Sequence, residues 1–411
     1  MPQLRAADSG CVVLGLVVIL QAGIAATPGH GPGAGPGHGP GVGPPAARWD
    51  GGTFDPLVER GIREGAYPGA ALVVGRRDTV LFAKGYGHLT WSPGSPPVDP
   101  ESTLYDLASL TKVVATTTSL MVLVDRGKVR LDAPVATYVP EFRGPGRDGV
   151  TVWHLLTHTS GLRPTLPLYR DAADSAAALR LVYAASPEVA PGTRVTYSDL
   201  NAILLGEIVR RAAGEPLDVL AEREVLGPLE LRQTMFRPAA RLRPRIAPTG
   251  VWRGHPVAGV VNDRNAARLG GVAGHAGLFA TARDVARFAQ FILREGTLRD
   301  GRRLVRASTV RQFTTRATPP GPGTRREARA LGWQAVPTGE TVSSAGRLFG
   351  PRSFGHTGWT GTSLWIDPDR ELFVVLLTNR AYAPRTRGSF TLLKEVRGRV
   401  ADAAARVFDA R

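Results

Sequence analysis

Two pairs of short apolar runs stand near opposite ends of the chain, and they limit the fold more than anything else in it. Residues 70–75 (AALVVG) and 79–83 (TVLFA) flank Arg76-Arg77-Asp78 and read as an antiparallel hairpin. Residues 362–367 and 372–379 flank Pro368-Asp369-Arg370 and read as a second one. Between them the period is helical, over 111–127, a short piece at 151–158 ending at Ser160-Gly161, and 200–213; a last helix covers about 390–408. Strands at both ends with helices between predict an α+β domain whose sheet is closed by the two ends of the chain. No internal repeat is visible.

The folded region is expected to be residues 48–411. Residues 1–26 combine a weakly basic start, an apolar stretch at 12–20 and small residues at Ala22, Gly23, Ala25 and Ala26, the layout of a signal peptide cleaved near Ala25 or Ala26. Residues 27–47 alternate Gly and Pro and cannot bury a core, so they read as a tether. No apolar run reaches the roughly 18–20 residues a bilayer span needs. After cleavage no membrane span is expected, and the protein would be periplasmic or extracellular. The only cysteine, Cys11, precedes the apolar stretch, which excludes a disulfide scaffold, a cysteine-built metal site and a lipidated cysteine at the cleavage point.

The chain carries 51 Lys+Arg against 35 Asp+Glu, a formal charge of +16. Only four of the basic residues are lysines, and pairs such as Arg302-Arg303 and Arg325-Arg326 are scattered. With no basic stripe and no interleaved aromatics, this reads as composition, and no nucleic-acid partner is expected.

Three short motifs carry chemistry. In Ser109-Leu110-Thr111-Lys112 a lysine follows a serine by three positions, so on a helix the amine reaches the hydroxyl. Serine is a poor nucleophile until a base takes its proton. A free lysine, with a pKa of about 10.4, is deprotonated in roughly one molecule in 2,500 at pH 7, so burial or a nearby cation must depress it. Tyr197-Ser198-Asp199 precedes the third helix, and a phenol beside a cation can relay protons. His356-Thr357-Gly358 precedes the final strand pair, where a small residue on an edge strand admits a substrate backbone and the strand's N–H groups can bind an oxyanion. Taken singly, each has a plain structural reading: a helix cap, a turn, a strand end.

Together and in this order they are similar to S-x-x-K, Y-x-N and K-T-G or H-T-G, and the chain resembles the serine β-lactamase and penicillin-binding protein superfamily. The likeness is to its branch of class C β-lactamases, DD-carboxypeptidases and related esterases. It extends over about residues 53–405, through 104–109 (LYDLAS), 152–162 (VWHLLTHTSGL) and 274–279 (GHAGLF). It implies an antiparallel sheet flanked by helices plus an all-helical subdomain, roughly residues 121–264. It implies that Ser109 forms an acyl-enzyme and that Lys112 and Tyr197 share the base and acid work. The amides of Ser109 and Trp359 would bind the oxyanion, while Asp199, His356, Thr357 and Gly358 would line the substrate site. No metal or organic cofactor is implied.

Two positions depart from the β-lactamase members: His356 stands where they have lysine, and Asp199 where they have asparagine. Both changes weaken a site for a carboxylate, and Asp199 can also raise the pKa of Lys112, against its work as a base. The reading is therefore an exported serine hydrolase acting on ester or amide substrates, small molecules or cell-wall peptides. The alternatives are a β-lactamase, or a penicillin-binding sensor that acylates without efficient turnover.

Other features have plainer readings. His154 and His158, four apart, lack the adjacent glutamate of zinc proteases and read as packed or capping residues. Ser160 sits where a helix stops. The glycine-rich 270–277 lacks the Gly-Lys-Ser/Thr of a phosphate loop and reads as a tight loop on the active-site side, and Asp263 and Asn265 read as loop-fixing.

Overall fold

A computed structural model of the chain describes residues 49–318, 328–337, 343–382 and 389–410. The expected export segment and tether lie outside the described residues. Eleven strands are present among them: β1 Gly69–Arg76, β2 Thr79–Gly87, β3 Tyr105–Asp106, β4 Met235–Phe236, β5 Gly250–Trp252, β6 His255–Val257, β7 Leu278–Ala280, β8 Gln334–Ala335, β9 Phe354–Thr357, β10 Ser363–Asp367 and β11 Leu372–Thr378.

The main sheet is antiparallel with order β2-β1-β11-β10-β9-β8, so the two expected hairpins meet where β1 pairs with β11, from Ala70↔Thr378 to Arg76↔Leu372. Both strands are apolar without alternation because both faces are covered. Ala71, Val73, Phe373, Val375 and Leu377 face the larger core, which includes helix Ala282–Leu293. Ala70, Leu72, Val74, Leu372, Val374 and Leu376 face the other, against helices Asp55–Arg63 and Ser389–Asp409. Each Val, Leu or Phe side chain among them contributes roughly 1.5–3 kcal/mol by leaving water. The first hairpin turns on Arg77 and Asp78, and β2 continues to Gly87 because β1 pairs with it throughout.

The expected helix at 111–127 is a single helical run, Ala108–Asp125, opening as a 3-10 turn (Ala108–Leu110), widening to a π-helix (Lys112–Thr117) and ending as an α-helix (Thr118–Asp125). It is the one run among the described residues long and apolar enough to cross a bilayer, contrary to the sequence reading, but 83% of it is buried in the protein. It is a core helix, mostly apolar because it is enclosed, with Lys112 and a few threonines among its buried polar side chains.

Regular elements between Thr118 and Leu226 are all helical. The all-helical region ends there and does not run to residue 264 as expected, because β4, β5 and β6 follow. Arg253 and Gly254, both at positive φ, close the β5–β6 turn.

β9 enters the site from an aromatic anchor: Trp333, fully buried, stacks on Phe288 at 6.0 Å and meets Phe354 edge-on at 5.1 Å. The edge strand beside β9 is β8, which pairs only with Phe354 and Gly355. His356 and Thr357 are thus left on an open edge although β9 is not the last strand.

Candidate active site

The serine is presented by a strained turn. β3 pairs with β7, and the chain then turns into the buried helix through Ala108, whose φ of 47° is left-handed and rare without glycine. Side chains over-determine the turn. Asp106 accepts from Ala108 N–H at 2.8 Å and from Asn262 N–H at 2.6 Å, while Thr360 and Thr362 donate to the carbonyls of Asp106 and Leu107 at 2.7 and 2.9 Å. Burial pushes the Asp106 carboxyl up to about 6, although its two backbone hydrogen bonds oppose the shift. Gly358 lies directly against this turn; a Cβ there would meet the Leu107 carbonyl and Ala108. The small residue expected to admit substrate is therefore needed first by the serine's own turn.

Lys112 sits one helical turn on, its ammonium donating to Ser109 Oγ at 2.9 Å, to Asp199 Oδ1 at 2.8 Å and to the His275 carbonyl at 3.2 Å. Its side chain is almost wholly buried. The expected depression of its pKa is overturned. Burial does pull it down and is the largest influence, but the Asp199 carboxylate and the Tyr197 phenol together outweigh it, and the pKa is raised. The second expectation, that Asp199 raises it, describes the site.

Tyr197 and Asp199 arrive on the entry to helix Asp199–Ala213, whose N-cap Ser198 donates its hydroxyl to the Arg163 carbonyl at 2.6 Å. The Lys112 ammonium lies 4.9 Å from the Tyr197 ring centre. The ring is backed by His158 at 4.7 Å and faces His356 at 5.8 Å. His158 Nδ1 accepts from Ser198 N–H at 3.2 Å and is 3.1 Å from Asn201 Nδ2, so its own proton is on Nε2. Burial first, then the charges of Arg329 and Lys112, hold His158 neutral. His154 Nδ1 instead accepts from Thr151 N–H within a capping box, so the two histidines serve separate local structures. Ser160 donates to Asn201 at 2.6 Å rather than to a base.

His356 is buried and neutral for the same reasons as His158, burial first and then the charges of Lys112 and Arg329. Its Nδ1–H donates to the Thr357 carbonyl at 2.9 Å, and its Nε2 has no partner among the described residues. It therefore supplies no positive charge where a lysine would. Thr357 is half-buried at the strand end, and Trp359, 64% exposed, stands just beyond Gly358. Among the described residues, neither Ser109 N–H nor Trp359 N–H donates to a backbone or side-chain acceptor, as amides reserved for an oxyanion require.

Sequence reasoning missed Arg329. It is buried, with its guanidinium carbon 4.9 Å from the Tyr197 ring centre on the short segment leading to β8. The available signal was a lone arginine in the apolar run Ala328-Arg329-Ala330-Leu331-Gly332-Trp333. Arg329 brings a second cation to the Tyr197 ring and Asp263 a second carboxylate toward Lys112, so His356 and Asp199 alone do not set the charge of the site. Also missed was the role of 274–275. Gly274 abuts the Ala202 carbonyl so closely that no side chain fits, and this puts the His275 carbonyl on Lys112. His275 is tied to Asp263 at 3.0 Å, and Asp263 caps the helix at Arg264–Arg268, so the expected loop-fixing reaches the lysine.

A family model described as Beta-lactamase matches residues 54–396. An Escherichia coli (strain K12) protein named "Putative D-alanyl-D-alanine carboxypeptidase" is 31% identical over 354 residues, which cover 77% of this chain and 80% of that protein. A Bacillus subtilis (strain 168) protein named N-acetylmuramyl-L-alanine amidase is 33% identical over 368 residues, covering 80% and 81%. Among solved structures, EstCE1, described as a hydrolase with promiscuous acyltransferase activity, aligns with a TM-score of 0.68 at 22% identity over 86% of this chain and 97% of its own. A class C beta-lactamase aligns with a TM-score of 0.67 at 22% identity over 84% and 95%. At these identities the two structures speak for the fold.

Proposed function

This chain belongs to the Beta-lactamase family and is an enzyme of the serine hydrolase type, and from that premise we propose that it is exported and works through a Ser109 acyl-enzyme on ester and amide donors. The observation that carries the reading is the 2.9 Å contact between Ser109 Oγ and Lys112, with Asp199 and Tyr197 closing on the same amine. In acylation Ser109 Oγ bonds to the carbonyl carbon, and its proton passes to the Lys112–Tyr197 pair in the form that has already lost one proton. The oxyanion is held by the two amides, and the bond to the leaving group breaks as the pair returns the proton to it. Water then repeats the sequence, releasing the acid and restoring the hydroxyl.

A donor carrying a terminal carboxylate is a second reading. It fits D-alanyl peptides, the substrates in the names of the Escherichia coli relatives. β-Lactams present a carboxylate too, but they also need a deacylation geometry, and the neutral His356 offers their carboxylate no charged hydrogen bond.

A panel of a short-chain ester, a D-Ala-D-Ala peptide, a muramyl peptide and a chromogenic cephalosporin tests this. The ester, which has no carboxylate to pair, is expected to exceed the cephalosporin in kcat/KM by about a hundredfold, the worth of one charged hydrogen bond. Comparable cephalosporin turnover would overturn the preference, and a stable adduct with no product release would make the protein a sensor. Export is supported by the apolar 12–20 stretch and the small residues after it. N-terminal sequencing of the protein from its natural host is expected to start after Ala25 or Ala26; a start at Met1 would count against it.

A further inference from the structure

The peptide unit that carries the Trp359 N–H also carries the Gly358 carbonyl. That carbonyl accepts from Gly361 N–H at 3.1 Å and from Arg397 Nη2 at 3.4 Å. The same Nη2 donates at 2.7 Å to the Thr362 carbonyl, which also accepts Gly358 N–H at 2.7 Å. From the exposed side Arg380 Nη2 donates to the Trp359 carbonyl at 2.6 Å. The turn from Gly358 to Thr362 thus has its carbonyls drawn toward two guanidinium groups, and the Trp359 N–H is left to point away from them.

Arg397 reaches this turn from the middle of helix Ser389–Asp409, on the side of the sheet opposite the nucleophile helix. It is 3% exposed, forms no ion pair among the described residues, and leaves its Nε buried without a partner. Burial, with the charge of Arg380, pulls its pKa down to about 9, so it stays charged at neutral pH. A cation buried without an acid is costly, and an unsatisfied buried donor in a native core calls for a reason. Holding two carbonyls alone would not require a full charge.

We infer that Arg397 is a positioning residue that orients and polarises the Trp359 amide as an oxyanion donor. A charged donor on the carbonyl of a peptide unit withdraws electron density through it and strengthens the N–H on the other end, and the dry surroundings enlarge the effect. The inference rests on the acyl-enzyme reading, because only then does charge develop at that amide.

The test uses the full chain as wild type, Arg397→Met, Arg397→Lys and Ser109→Ala. Active sites are titrated with a fluorophosphonate so that rates refer to folded, reactive protein only. Arg397→Met is expected to lower kcat per titrated site on a short ester about five- to tenfold with KM within twofold, a fraction of what deleting an oxyanion donor costs. Affinity for a boronic acid, whose anionic adduct puts an oxygen at the same amides, should fall by a similar factor, and Arg397→Lys should recover part of both. If per-site kcat and boronate affinity stay within twofold of wild type while only the melting temperature drops, Arg397 is structural and the inference fails. Should Arg397→Met not fold, Arg397→Lys decides: an ammonium holding one carbonyl is expected to cost a few-fold per site, and a wild-type rate overturns the proposal. Turnover surviving in Ser109→Ala would sink the acyl-enzyme reading itself, whereas a dead Ser109→Ala beside unaffected Arg397 variants would sink only the polarisation.

Discussion

Replacing Ser109 by alanine is expected to lower turnover of every ester and amide substrate by about four orders of magnitude or more, the cost of removing the nucleophile from a unit of interdependent groups. The change should leave the fold intact. Ser109 Oγ has one hydrogen-bond partner among the described residues, Lys112, and the turn around it is held by Asp106, Thr360 and Thr362 rather than by the serine. Steady-state rates with circular dichroism check both halves. A fluorophosphonate label should map to Ser109 in the wild type and disappear in the variant. The nearest competitor is Ser160, but its hydroxyl is committed to Asn201. Labelling there, or residual turnover within a hundredfold of wild type, would sink the assignment.

Asp199→Asn is expected to raise the rate on an uncharged ester at pH 7 by about tenfold or more and to move the rising limb of the pH–rate profile to lower pH. The carboxylate 2.8 Å from Lys112 helps hold its pKa above the ordinary lysine value, so the amine is protonated through the neutral range and its basic form grows only as pH rises. Removing the anion leaves burial, the largest influence, free to pull the pKa down. An opposite charge at this range ordinarily moves a pKa by about 1–3 units, and each unit is tenfold in the competent fraction. The variant also removes a negative charge from the substrate side, so cephalosporin turnover should rise with it. An unchanged limb, or one displaced to higher pH, would mean that Lys112 works as a permanent cation and that another group takes the serine proton.

The pieces legible in the sequence were those whose cause is local. Continuous apolar runs at 70–75 and 372–379 declared strands, and the spacing of Ser109 and Lys112 declared a shared helical face. The approach of Tyr197 and Asp199 came through the resemblance, since no propensity links residues 87 positions apart in the chain. The direction of the lysine's shift was open in the sequence because two opposing influences act on it, and only the 2.8 Å separation decides between them. The π-helical widening at Lys112–Thr117 goes with two side-chain bonds: Thr118 Oγ1 donates to the Val113 carbonyl within the same run, and Thr116 Oγ1 donates to the Gly274 carbonyl, a partner 158 positions away that only the packed state supplies. β8 and β9, with two and four residues, are too short to show a period. Arginine is so common in this chain that a buried one does not stand out by composition: Arg329 was marked only by its apolar neighbours, and Arg397 not at all.

The pairing of β1 with β11 has a kinetic consequence. An interior strand near the start of the chain waits for a neighbour made some 300 residues later, since Ala70 is matched with Thr378. Until β11 is made, β1 has only its hairpin partner, and the Gly358–Thr362 turn between β9 and β10 lacks the sheet that holds it. Contacts this distant in sequence close slowly. Activity is therefore expected to appear only after β11 has been made, and a chain truncated before Leu372 is expected to have neither a closed sheet nor a serine that reacts with a fluorophosphonate.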